Sequence, residues 1–236
     1  MIADGRIFPA TVMPDQDWWH ALWPDPEAVV EALGIATGMV VIDLGCGDGY
    51  FTAAIGRRVG SGQVIGFDLD PAMLDQSRTA CREMTNFTWV LGDAMDLSRL
   101  VQERPDYVLI ANTFHGVPDK TELAREVAKV LKPGGCFAIV NWHPLPREKT
   151  PVLGQPRGPR TELRMSPEQV CAVVQPAGFE RERVVELPPY HYGAIFRKAL
   201  ARPATAAVPA TGRGWSTVRS PRCTIGGTHP PAGDHD

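Results

Sequence analysis

The segment VIDLGCGDGYFT, residues 41–52, sets glycines at 45, 47 and 49 directly behind an apolar, β-branched run. A buried strand that breaks into closely spaced glycines and resumes as a helix makes a turn that lies against a ligand. Residues without Cβ adopt left-handed dihedrals there and leave room for the group they face. Such a turn belongs to a sheet of largely parallel strands with crossover helices. The spacing is G-x-G-x-G, whereas the dinucleotide fingerprint is G-x-G-x-x-G, so the register departs from that of a pyrophosphate-binding turn.

The rest of the chain agrees with an α/β reading. From residue 25 to 198, short β-branched runs (MVVIDL, QVIGFDL, FTWVLGD, DYVLIANTF, CFAIVNW) alternate with amphipathic helical segments. Asp70 with Pro71, Asp119 and Ser166 stand where helix N-caps and first-turn prolines belong. Two closely spaced runs, ERVVELP and HYGAIFRKA, close the region and predict a hairpin. One domain of 25–198 is expected, preceded by a 1–24 segment that folds over it as a lid. The 199–236 tail is rich in Pro, Ala, Gly, Ser and Thr, without apolar periodicity, and is expected to be disordered.

Composition removes several classes. No apolar run approaches the roughly 20 residues of a transmembrane helix, so no membrane partner is expected. No basic-then-apolar leader opens the sequence, which predicts a cytoplasmic protein. Cysteines at 46, 81, 136, 171 and 223 include no C-x-x-C pair, against a disulfide framework or structural zinc. The formal net charge of −3 gives no broad phosphate-binding face, and no nucleic-acid partner is expected.

Asp68 ends the second strand, where a carboxylate accepts from ribose hydroxyls, and Asp93 ends the third, where one accepts from an adenine amino group. Taken together, DLGCGDG, GFDLDP, LGDAMD and VLKPGG resemble the motif series of the class I S-adenosylmethionine-dependent methyltransferases, over residues 41–198. The resemblance implies a Rossmann-like doubly wound sheet of order 3-2-1-4-5-7-6 with strand seven antiparallel, and S-adenosylmethionine as cofactor. It places Gly45, Gly47 and Gly49 against the methionine part with Asp43 nearby, and Asp68 and Leu69 at the ribose. Asp93 and Ala94 fall at the adenine edge and Asn112 near the amino-acid group, while Asp48 is a loop residue without an assigned contact.

In such sheets the acceptor lies beyond the carboxyl ends of the strands. The fourth and fifth strands end in NTFHGV and NWHP, and the antiparallel seventh begins at PYHYG, so His115, His143 and His191 are expected to converge. Neutral imidazole takes a proton from an attacking oxygen, nitrogen or sulfur; a metal role is set aside because no carboxylate or cysteine completes a ligand set. Trp19 and Trp23 share a helical face, and Trp19, His20 and Tyr192 are expected at the acceptor. Arg157, Arg160 and Arg164 of a long insertion are candidates for gripping an acceptor carboxylate or phosphate. The expected function is methyl transfer to an O, N or S atom of a small molecule; the alternative is a non-catalytic S-adenosylmethionine-binding regulator. LPPY at 187–190 follows the sixth strand rather than the fourth, which rejects the motif of nucleic-acid amino methyltransferases.

Overall fold

Seven strands form one twisted sheet in this computed structural model, which describes residues 16–200, all within a single compact unit. Residues 1–15 and 201–236 lie outside the described residues. The expectation of a disordered tail therefore falls outside them, apart from Ala199 and Leu200, as does most of the lid expected at 1–24.

The parallel half comprises β1 (Val40–Leu44), β2 (Gln63–Asp68), β3 (Phe87–Leu91), β4 (Tyr107–Ala111) and β5 (Cys136–Trp142). Two antiparallel strands, β8 (Phe179–Leu187) and β9 (His191–Lys198), complete it in the order β3-β2-β1-β4-β5-β9-β8. This is the expected order, with the last two strands renumbered by a small hairpin, β6 (Pro151–Val152) and β7 (Gln155–Pro156), inside the insertion. Leu153 and Gly154, both at positive φ, turn that hairpin in the left-handed geometry that tight two-residue connections require.

Helices flank both faces: α1 (Gln16–Leu22), α2 (Pro26–Ala32), α3 (Tyr50–Val59), α4 (Pro71–Ala80), α5 (Leu97–Leu100), α6 (Lys120–Val130) and α7 (Pro167–Val174). The caps behave as their side chains dictate. Asp25, Asp70 and Asp119 each accept a backbone N–H of the first turn, and Ser166 with Gln169 forms a reciprocal capping box. The central strands read as continuous apolar runs because both faces are covered. One core layer joins Ile42, Ile65, Val108, Phe137 and Phe196 to α6 and α7, and the other joins Val41, Val64, Leu109 and Ile195 to α2 and α3.

β8 begins at Phe179, earlier than the run ERVVELP suggests, since Phe179, Glu180 and Arg181 also pair with β9, before a bulge at Glu182. Charged residues are tolerated there because β8 is the sheet's edge and its side chains meet water. Among the described residues no helix is long and apolar enough to cross a membrane.

Candidate active site

The turn after β1 is built by its backbone. Gly45, Gly47 and Gly49 all have positive φ, and a Cβ on Gly49 would lie 2.8 Å from Ser77 Cα, so α4 can pack against the turn only if that residue is glycine. Asp68, at the end of β2, fastens the turn: its Oδ2 accepts the Gly47 N–H at 2.9 Å and its Oδ1 the Asp70 N–H at 3.0 Å. A carboxylate has about four lone-pair sites, so Asp68 keeps acceptor capacity for a diol. Leu69 beside it is 38 % exposed, an apolar side chain offered to the same edge.

Asp43 is buried below the turn and accepts the Thr52 hydroxyl at 2.6 Å. Burial, with Asp68 and Asp48 as neighbouring negative charges, pushes its carboxyl up to about 7. Asp48 is also buried and raised by burial, and it accepts the Tyr50 N–H at 3.1 Å. Asp93 caps a 3₁₀ turn at Ala94–Asp96 by accepting the Met95 N–H at 2.9 Å. Asn112, just past β4, holds a positive φ of 57°, and its buried amide makes no hydrogen bond. A strained backbone with an unsatisfied amide is the sort of feature a ligand group would complete. Thr52, Ser77 and Thr113, which stands against Gly45, support the turn without having been singled out in the sequence. Thr52 lies in the first turn of α3, and no sequence pattern marks it as the partner of Asp43.

The three histidines lie at the same sheet end but do not form one cluster. In β5 and β9, Trp142 pairs with His191 and Asn141 with Tyr192, so Trp142 and His191 share one face and Asn141 and Tyr192 the other. His143 falls on the Asn141 side: its ring lies 5.1 Å from Tyr192, and its Nε2 lies 2.9 Å from Glu186 Oε2. The expected three-way convergence is corrected here, because neighbouring residues of one strand face opposite ways. His115 and His191 are both buried, with neither ring nitrogen hydrogen-bonded. Burial, helped by Lys120 and Arg164, lowers His115 to about 4. Burial, helped by Arg164 and His143, holds His191 well below its ordinary value. Both rings are therefore neutral at pH 7.

An aromatic wall surrounds His191. Its ring lies 4.1 Å from Trp142 and 4.5 Å from Trp23, with Trp18 stacked on Trp142 at 6.1 Å and Trp19 on Trp23 at 5.8 Å. Trp23 Nε1 donates to the Pro188 carbonyl, and Tyr50 donates its hydroxyl to the Trp23 carbonyl. His20 is exposed and meets Tyr50 edge-on at 5.3 Å. Tyr192 is buried and spends its hydroxyl on the Met165 carbonyl at 2.7 Å.

Arg164 departs from its expected use. It is 5 % exposed, lies over the Trp142 ring at 4.8 Å, and donates to the Pro159, Leu145 and Arg157 carbonyls and to Thr150 Oγ1. A guanidinium has five N–H donors, and four of them are spent on holding the insertion together, so Arg164 serves as a tether of the loop. Arg157 and Arg160 are exposed, with Arg160 4.0 Å from Glu162.

Sheet order, glycine turn and acids ending β2 and β3 define the class I, Rossmann-like S-adenosylmethionine-dependent methyltransferase fold. Residues 41–135 match a methyltransferase domain family. A demethylmenaquinone methyltransferase from Staphylococcus aureus (strain MRSA252) is 37% identical over 122 residues, 51% of this chain and 49% of the relative. The namesake from Staphylococcus saprophyticus is 31% identical over 137 residues, 58% of this chain and 56% of the relative. The chain thus matches about half the length of these relatives. Among solved structures, an S-adenosylmethionine-dependent methyltransferase from Aquifex aeolicus aligns with a TM-score of 0.66 at 25% identity, covering 76% of this chain and 92% of that one.

Proposed function

We propose that the chain transfers a methyl group from S-adenosylmethionine to an oxygen, nitrogen or sulfur atom of a small-molecule acceptor. The observation that carries this reading is the glycine turn fastened by Asp68, with the buried His115 and His191 at the same end of the sheet. The relatives named for demethylmenaquinone support a small molecule as acceptor.

The residues fit the cofactor. Gly45, Gly47 and Gly49 would let the backbone pass close to its methionine part with Asp43 nearby, Asn112 would meet the amino-acid group, Asp68 and Leu69 would hold the ribose, and Asp93 with Ala94 the adenine edge. When bound, S-adenosylmethionine supplies a methyl carbon made electrophilic by its sulfonium. The chain's task is then alignment in a dry pocket, where orientation of the attacking atom provides most of the acceleration. His115 and His191, uncharged at working pH, accept the proton that the acceptor releases. Because both stay neutral down to acid pH, the kcat profile is expected to show no imidazole limb between pH 5.5 and 8. A fall in kcat on acidification through pH 6.5 would contradict this assignment.

Incubation with methyl-labelled S-adenosylmethionine and a small-molecule extract is expected to yield labelled product and S-adenosylhomocysteine. Cofactor binding without product would instead support the regulatory alternative.

A further inference from the structure

Leu153 stands where its residue type does not belong. With Gly154 it forms the two-residue turn between β6 and β7, at a φ of 51°. Such a turn ordinarily takes Asn, Asp or Gly at its first position, because bulkier side chains crowd the backbone in the left-handed region. Among the described non-glycine residues only Asn112 shares a positive φ. The leucine is 56 % exposed, although its neighbour Val152 is buried in the layer that holds Trp19 and Trp23. A leucine held in a strained conformation at the tip of a hairpin, facing water, points to a use outside the fold.

A lone exposed leucine would mean little, but Leu145 and Leu163 are exposed on the same insertion, so residues 145–163 carry three of the eight exposed large apolar side chains among the described residues. One hydrogen-bonded network joins these segments. Arg164, next to Leu163, donates to the Leu145 carbonyl and to Thr150 and Arg157 at the base of the hairpin, and the Arg147 N–H donates to Thr161 Oγ1 at 3.0 Å. Between the leucines stand the exposed Arg147, Lys149, Arg157 and Arg160, against Glu148 and Glu162. Elsewhere Arg57, Arg78, Arg99, Arg125 and Arg197 each meet a carboxylate. Among the described residues no ion pair engages Arg147, Lys149 or Arg157, and Arg160 lies 4.0 Å from Glu162.

We propose that this insertion docks the protein reversibly on an anionic lipid bilayer, with Leu153 entering the boundary between headgroups and acyl chains and the unpaired cations attracted to the lipid phosphates. Charge selects the surface: the insertion is cationic in a chain whose formal net charge is −3, so the attraction is confined to this face. Aliphatic side chains flanked by Lys and Arg are how interfacial segments anchor. A protein interface favours aromatic residues and single-stranded nucleic acid requires stacking rings, yet 144–165 holds no Phe, Tyr or Trp. Five prolines and the Arg164 network keep the loop stiff, so docking costs little ordering entropy. The expectation of no membrane partner rested on the lack of a spanning helix, and a loop that lies at the interface needs none. Docking of this kind is independent of the chemistry at the strand ends.

Co-sedimentation of the full chain with sucrose-loaded vesicles compares phosphatidylcholine alone with phosphatidylcholine containing one third phosphatidylglycerol. Binding to the anionic vesicles is expected to be at least about tenfold tighter than to the neutral ones, and to weaken as salt is raised. Leu153→Asn suits the left-handed turn better than leucine, so it is expected to melt no lower than wild type while binding anionic vesicles about fivefold more weakly. Lys149→Glu, on an exposed side chain, is expected to weaken binding about tenfold and serves as the second variant should Leu153→Asn not fold. No sedimentation with anionic vesicles, equal sedimentation with both compositions, or wild-type binding by either folded variant overturns the proposal. Leu153-dependent self-association without lipid, seen by analytical ultracentrifugation, overturns it in favour of an interface between copies of this chain. None of these outcomes bears on S-adenosylhomocysteine binding, which tests the methyltransferase reading separately.

Discussion

Asp43 concentrates the conflict between folding and ligand binding in one side chain. Its carboxyl is raised from 3.8 to about 7 by burial and by the charges of Asp68 and Asp48. The folded chain therefore holds a proton there that the unfolded chain gives up. The resulting stability is present in full below pH 3.8 and is lost as pH rises through 7, on the order of 4 kcal/mol at 1.36 kcal/mol per unit. Asp43→Asn, always neutral, is expected to melt above wild type at pH 8, with the gap closing by pH 4; a thermal melt series over that range checks it, and equal melting at pH 8 would contradict the buried proton. Gly49→Ala tests the turn: its Cβ would press on Ser77 Cα at 2.8 Å with φ at 91°. Loss of roughly 1–3 kcal/mol in denaturant unfolding is expected. Asp43, Asp68, Asp93 and the glycines were legible in the sequence because their places follow from strand ends. Thr52 and Ser77 were not, since their approach depends on how α3 and α4 pack.

At the scale of elements, the insertion between β5 and α7 is organised around Arg164, which ties Leu145, Thr150, Arg157 and Pro159 to one guanidinium above Trp142. Arg164→Met keeps the apolar stem but leaves those acceptors unmatched, and such groups cost about 1–3 kcal/mol each when buried. Limited proteolysis is expected to cut the variant within 145–163 much faster than wild type, and an unchanged cleavage rate would remove the tethering role. The sequence showed a basic, Pro-rich loop and suggested ligand-gripping arginines; which arginine turns inward is decided by carbonyls brought together only on folding. Histidine placement had a similar limit. The strand ends were readable, but the face each ring occupies depends on the β5–β9 register, which pairs Trp142 with His191 and sends His143 the other way.

For the whole molecule, the alternation of strands and helices carried the architecture, and the closing hairpin carried the antiparallel β9. What it could not carry was the number of strands, because β6 and β7 are only two residues each and lie within a loop with no alternating pattern. Parallel strands put the glycine turn, the acids ending β2 and β3, and the aromatic wall at one end, which is where this topology binds ligands. The central claim is that this end holds S-adenosylmethionine through Asp68, and calorimetric titration of wild type and Asp68→Ala with S-adenosylhomocysteine tests it most directly. One site per chain is predicted, weakened in the variant by about 1–3 kcal/mol for the hydrogen bonds lost; no binding to wild type, or equal affinity in both proteins, would contradict it.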